Sequence, residues 1–288
     1  MTTLKGREGL GKSKQDNLSY RLLTSFLFVP FFLVIFNYGS FPYLFLMLGI
    51  IGIMSYEFFY LLREKGLNPY LRTGIFASII LGLIMNYSSA LFTYFLITLL
   101  LIFISIVELR RNDPTKSIVY MSVTTFGVLY TGWLGGHMIL IGKTSYSLLN
   151  SPKLIYLSFL MIWMADTGAF FIGSKFGKHK IIPKISPSKS YEGLAGGFLF
   201  SFISGFIFSL FFFKELYIFD IFFLSIISTV AGFAGDLVES AMKRDAQLKD
   251  VSSFLPGHGG VLDRFDSVLF ALPLFYYYFI LTIKSRIV

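Results

Sequence analysis

Long apolar runs dominate this chain and leave it few ways to fold. About nine of them approach or exceed the roughly 20 residues that one helix needs to cross a hydrocarbon layer. They lie near 21–38, 41–62, 73–88, 89–107, 118–142, 154–174, 192–213, 217–241 and 266–284. The third is short, and the polar break "MNYSSALF" that sets it off from the fourth is slight. Charged residues are 14% of the 288 and mean hydropathy is +0.71, whereas about a quarter of a soluble domain is charged. The expected fold is therefore all-α, a polytopic integral membrane helical bundle of about nine transmembrane helices.

No segment outside these runs is long enough to fold by itself, so the chain reads as one helical unit with three parts. Residues 1–20 form a basic tail, 21–150 an N-terminal transmembrane scaffold, and 151–288 a C-terminal half that carries the chemistry. The tail is polar, and the run after it has no small-residue cleavage site, so 21–38 is expected to be a first span and not a signal peptide. The absence of cysteine excludes disulfides, thiolate ligands and thiol nucleophiles.

Basic residues set the expected orientation. With the N-terminus in the cytoplasm, the tail and alternate loops place Lys5, Arg7, Lys12, Lys14, Arg21, Arg63, Lys65, Arg72, Arg110, Arg111 and Lys116 inside. The later loops add Lys175, Lys178, Lys180, Lys184, Lys189, Lys243, Arg244, Lys249 and Arg264. Lys143, Lys153, Lys214, Lys284 and Arg286 fall outside. This is the bias of the positive-inside rule. The net charge of +9 then belongs mostly to one face, near anionic headgroups, and membrane lipids rather than nucleic acid are the expected anionic surroundings.

Polarity enters the apolar runs only in the second half. One earlier motif misleads: "GREGLGKS" at 6–13 fits the phosphate-loop pattern, but no strand precedes it, so it reads as a solvated tail. Asp166 lies well inside the sixth run, where a carboxylate needs a polar cavity or a helix partner. In "ISPSKSYEG", Ser186 and Pro187 read as an N-cap and first helical residue, which would turn free amides toward the cytoplasm beside Lys189. Glu192 would either offset the helix dipole or orient Lys189 and the hydroxyls.

Asp236, Ser240 and Lys243 share one helical face at i, i+4 and i+7. After them "PGHGG" supplies a glycine turn, with Gly259 and Gly260 letting backbone amides approach a ligand. Asp263 and Asp266 follow at i and i+3 and can face one point. Capping explains one of them, but not Asp236, Arg264 and the glycine turn together. Carboxylates without cysteine suit a hard cation such as Mg²⁺, which shares oxygen ligands with phosphates. Metal plus phosphate at the cytoplasmic headgroup level is what the residues imply.

"SAMKRDAQLKDVSSFLPGHGGVLDRFD", residues 240–266, resembles the signature of the phosphatidate cytidylyltransferases, or CDP-diacylglycerol synthases. The pattern is a serine, K-R, K-D, H-G-G and D-R-x-D, with every fixed position present. "ADTGAFFIGSKFGKHK" and "SPSKSYEG" resemble the other family stretches, although the family run S-P-K-K-T has Ser188 and Ser190 here. The resemblance covers about 160–280. It implies transfer of a cytidylyl group from CTP to phosphatidic acid, Mg²⁺ with or without K⁺ held by Asp236, Asp263 and Asp266, and a homodimer. It implies a catalytic set of Asp236, Lys243, Arg244, Lys249, Asp250, His258, Asp263, Arg264 and Asp266. Asp166, Ser186, Lys189, Glu192, Ser240, Gly259 and Gly260 would bind substrate.

A phosphate monoester is largely dianionic near neutral pH and needs no strong base to attack. Charge neutralisation and alignment are the harder tasks. His258 would either bond a phosphate oxygen or order its loop. Two rivals are a CTP-dependent polyprenol or lipid kinase, which would release CDP, and a transporter of anionic lipid or phosphate. A transporter of the common kind shows internal repeats with interrupted helices near the midplane, and no such symmetry is visible here. The expected location is a bacterial inner membrane with the site on the cytoplasmic side.

Overall fold

The computed structural model describes residues 30–248, 251–252 and 259–287. A helical segment, α1, covers 30–38. It is followed by α2 (Ser40–Glu64), α3 (Leu71–Tyr87), α4 (Ala90–Leu109) and α5 (Ser117–Gly127). A π-helical stretch, Val128–Leu134, carries α5 into α6 (Gly135–Leu148) without a break. Then come α7 (Lys153–Phe176), α8 (Tyr191–Phe212), α9 (Ile218–Asp245) and α10 (Leu262–Tyr278), and a second π stretch, Phe279–Ile283, leads to α11 (Lys284–Ile287). The described residues form no strand, and Lys180 and Ser190 make an isolated bridge.

Among the described residues, seven helices are long and apolar enough to cross a membrane, the continuous rods Ser117–Leu148 and Leu262–Ile287 counting once each. Helix α3 is apolar but has 17 residues, about 25 Å at 1.5 Å per residue, a little short of a hydrocarbon core of about 30 Å. The chain is an all-helical integral membrane protein. Residues 1–29, which include the basic tail, the "GREGLGKS" motif and half of the first expected span, lie outside the described residues.

Which helices face the interior follows from burial. In its apolar window α2 is 56% buried and α4 only 17%, so α2 is central and α4 peripheral. The outer face of α4 carries Leu91, Phe95, Ile102 and Phe103. Lipid tails are as apolar as these side chains, so such a face needs no protein cover. The core lies where α2, α6, α7 and α10 meet, around Met47, Ile51, Met54, Leu157, Leu272 and Phe275.

Helices pack closely where the sequence is small. A Cβ on Gly168 of α7 would stand 2.5 Å from the Gly196 carbonyl oxygen of α8. One on Gly235 of α9 would stand 2.3 Å from the Asp266 carbonyl oxygen of α10. These contacts set α7 against α8 and α9 against α10 at backbone distance.

The helices alternate in direction, and contacts sort their ends. At one end Lys65 after α2 pairs with Asp245 of α9, and Tyr70 before α3 bonds Glu108 of α4. At the other, Arg286 pairs with Asp220 at 2.6 Å, and the Tyr278 hydroxyl donates to Asp220 at 3.0 Å. The starts of α8 and α10 both lie toward the first end, beside the C-terminal part of α9.

Two element boundaries differ from expectation. Helix α8 begins at Tyr191, not after Ser186: Ser190 is its N-cap and accepts from the Gly193 amide at 3.2 Å. Backbone bonds Ile181 N to Lys189 O and Tyr191 N to His179 O make 179–191 a small hairpin, which takes residues 186–189 out of the helix. Helix α10 begins at Leu262, so Asp263 lies in its first turn and is not its N-cap.

The close approach of α7 and α8 predicts opposite outcomes at two glycines. Gly168→Ala must part the helices and is expected to destabilise by about 1–3 kcal/mol, the usual effect of overpacking. Gly49→Ala in α2, where a Cβ meets nothing within 4 Å, should be neutral or stabilise by up to about 1 kcal/mol through helix propensity. Thermal unfolding in one detergent compares the two.

Candidate active site

Three helices bring acids to one place. Asp166 projects from α7 and accepts the Ser267 hydroxyl of α10 at 3.1 Å. Asp236 of α9 accepts the Ser240 hydroxyl at 3.3 Å and pairs with the Lys189 ammonium from the hairpin before α8. Asp266 of α10 is 9% exposed and accepts the Ser267 amide at 2.6 Å. Its charge is within interacting range of Asp236 and Asp166. Gly235 permits this arrangement, because any side chain there would strike the backbone of Asp266.

Lys189 is the cation of this group. Its stem passes Phe233, with the ammonium 5.1 Å from the ring centroid, so an aromatic face and two acids hold it. Buried carboxylates are tolerated when paired and bonded.

A second polar group adjoins the first. The Lys243 ammonium donates to Glu239 at 2.9 Å and to Asp263 at 2.7 Å. Asp263 also accepts the Gly260 amide at 2.7 Å and the Val251 amide at 3.4 Å. Glu239, 1% exposed, interacts electrostatically with both Asp263 and Asp266 and so joins the two groups. Its Oε1 and the nearby Tyr130 hydroxyl are buried with no hydrogen-bond partner among the described residues. Such atoms are costly unless something else satisfies them.

The structure therefore brings together Asp166, Lys189, Asp236, Ser240, Lys243, Gly260, Asp263 and Asp266. The two aspartates of α10 have different neighbours. Asp266 faces Asp236 and Asp166, while Asp263 is drawn back to Lys243 and to amides at the helix start. Among the described residues no three acidic or histidine side chains stand as a ready metal cage. The donor set is nonetheless of the hard-oxygen kind, and the acids outnumber the lysines that pair with them.

Other expected residues lie apart. Glu192 does not orient Lys189: it accepts from the His179 ring at 2.5 Å and from the His179 amide at 3.2 Å, because the hairpin places His179 beside the first turn of α8. Ser186 is buried, its hydroxyl 3.4 Å from that of Ser188. Arg244 is exposed and donates to the Leu248 carbonyl at 3.3 Å, which ties down the end of α9. Arg264 is exposed on the first turn of α10. Gly259 has φ 78°, a left-handed conformation that suits glycine. Lys249, Asp250 and His258 lie outside the described residues.

Three side chains escaped the sequence reading. Glu239 and Glu57 sit inside apolar helices, and the rule that singled out Asp166 would have found both. Tyr130 carries no such signal, since tyrosine is common in this chain.

Comparison with known proteins bears on the whole chain. The model of the cytidylyltransferase family matches residues 19–282. A phosphatidate cytidylyltransferase of Bacillus subtilis is 32% identical over 274 residues, covering 91% of this chain and 97% of that protein. Shorter, closer matches occur with the enzymes of that name from Staphylococcus epidermidis, 44% identical over 122 residues (42% of this chain, 47% of that protein). For Haemophilus influenzae the match is 44% over 125 residues (42% and 43%). The match begins before α1 and ends within the last helical rod, so the N-terminal helices are as much a part of it as the acidic cluster: this chain is a nucleotidyltransferase and belongs to the cytidylyltransferase family.

Proposed function

We propose that the chain transfers the cytidylyl group of CTP to phosphatidic acid, forming CDP-diacylglycerol and releasing pyrophosphate. The observation that supports this most is the interleaved cluster of acids and lysines at one end of α7, α9 and α10. A phosphate of phosphatidic acid, largely dianionic near neutral pH, attacks the α-phosphorus of CTP. Pyrophosphate leaves as the new phosphoanhydride bond forms. The attacking group is already ionised, so the residues act on charge and alignment and not as a strong base.

Among the described residues, Lys189 and Lys243 are the lysines paired to acids of the cluster, and they would meet the phosphate oxygens. Each is paired to acids in the structure, so each can exchange a carboxylate for a phosphate. Asp236 and Asp266, with Asp166 behind them and Asp263 nearby, are the residues that would hold Mg²⁺. The Lys189 ammonium, set against Asp236 and near Asp166, already marks a position that favours a cation. When bound, the metal would lower the repulsion between the two anionic substrates. A monovalent ion such as K⁺ would share this acidic environment, and a homodimer is expected from the family.

The proposed setting is a bacterial inner membrane, with nine spans and a cytoplasmic N-terminus. The alternation of basic loops supports it, since the end that carries the acidic cluster is also the end that gathers lysine and arginine. CTP would arrive from water at that face, and the lipid would enter from the side.

Purified protein in detergent, given phosphatidic acid, CTP and Mg²⁺, should form lipid-linked cytidine and pyrophosphate in equal amounts. Asp263→Asn should lower turnover by about 100-fold or more, the scale seen on removing one charge-stabilising contact. Release of CDP with phosphorylation of a lipid alcohol would replace this reading with the kinase. Absence of turnover with any lipid would point to transport.

Metal binding has its own readout. Mn²⁺ titration followed by paramagnetic resonance should show binding that Asp236→Asn weakens at least about tenfold, in line with loss of one ligand. Equal affinity in the variant would remove Asp236 from the metal set. Lys189→Gln should raise the KM for a substrate phosphate by about tenfold, since a hydrogen bond to a charged group contributes about 1.5–3 kcal/mol.

A further inference from the structure

Glu57 lies in α2, in the half of the chain read from sequence as scaffold, and is 1% exposed. Its Oε1 accepts the Ser252 hydroxyl at 2.5 Å and the Val261 amide at 3.1 Å. Its Oε2 accepts the Leu262 amide at 2.7 Å. The glycine between these elements is forced: a Cβ on Gly260 would stand 2.8 Å from the same carboxylate.

Helix α10 has no side-chain cap of its own, since its N-cap is Val261. The first amides of a helix need outside acceptors and favour negative charge. Asp263 takes the Gly260 amide, and Glu57, about 200 residues away in sequence, takes the next two. Ser252 precedes the segment 253–260 and Val261 follows it. Whatever path that segment takes, one carboxylate ties its two ends together and to the start of the helix that carries Asp263 and Asp266.

We infer that Glu57 is a positioning residue for cytidylyl transfer, a clasp by which α2 fixes the start of α10 and the residues Ser252 and Val261 that flank 253–260. The inference rests on the function proposed above. Glu57 itself stays buried behind Gly260, bonded to the chain's own donors, and acts through the residues it holds. A carboxylate suits the task because it accepts from several donors at once. A glutamine of the same size must turn its own N–H groups toward at least one of them.

Two measurements on Glu57→Gln test this. In turnover, kcat/KM for CTP should fall by about tenfold or more, as small displacements of a catalytic group do, while KM for phosphatidic acid stays within about twofold of wild type. In hydrogen exchange, amides in 251–252 and 259–262 should exchange faster, while α7 and α8 keep their protection. Ser252→Ala removes one of the bonds and should give a smaller effect in the same direction, one that does not add to that of Glu57→Gln. It also serves if Glu57→Gln fails to fold. Wild-type kinetics in both variants would overturn the inference. So would faster exchange throughout the bundle, which would leave Glu57 a purely structural role. If the wild type makes no CDP-diacylglycerol, the proposed function falls, and the exchange pattern alone still decides whether the clasp exists.

Discussion

Carboxylates placed inside an apolar bundle must find cations and donors within the chain, and much of this structure is arranged around that need. Lys189 reaches in from a hairpin to Asp236, past the ring of Phe233. Lys243 lies between Glu239 and Asp263. Neither lysine neutralises its group fully, and Glu239 Oε1 and the Tyr130 hydroxyl remain without partners among the described residues. An anionic substrate and a cation are the natural completion of such a site. Their binding would redistribute pairs already present, so that little new charge has to be buried.

The backbone around the cluster is built for close approach. Gly235 brings α9 against Asp266, and Gly168 brings α7 against α8, which carries Lys189 at its entrance. The N-terminal half contributes more than lipid-facing bulk. Helix α2 holds the first turn of α10 through Glu57, and the π stretch that joins α5 and α6 brings Tyr130 near Glu239 and Asp266. A π stretch gives a helix a local wide turn and is often found at functional sites.

Much of this was legible from residue order. The apolar runs foretold the helices, because a long apolar run has one period-independent use in a membrane. The polar intrusions at Asp166, Asp236 and Asp266 are the acids that α7, α9 and α10 bring near one another. What could not be read was pairing across helices. Asp263 and Asp266 are one turn apart and seemed able to share a point, but the amide of Gly260 and the ammonium of Lys243 draw the first aside. Ser186–Pro187 had the local chemistry of a helix start, yet backbone pairing of 179–181 with 189–191 moved the start to Tyr191. Glu57 was passed over because it sits amid aromatic residues in a run that otherwise reads as lipid-facing, and only the fold shows the amides it accepts.

Cytidylyl transfer as proposed here forms its bond at the α-phosphorus of CTP with a lipid phosphate as nucleophile. Two parallel reactions with radiolabelled CTP test it directly, one labelled at the α-phosphorus and one at the γ-phosphorus, each followed into the lipid fraction. Label should enter the lipid from the α position alone, with the γ label leaving as pyrophosphate. Lipid labelled from the γ position, with CDP as the other product, would contradict it.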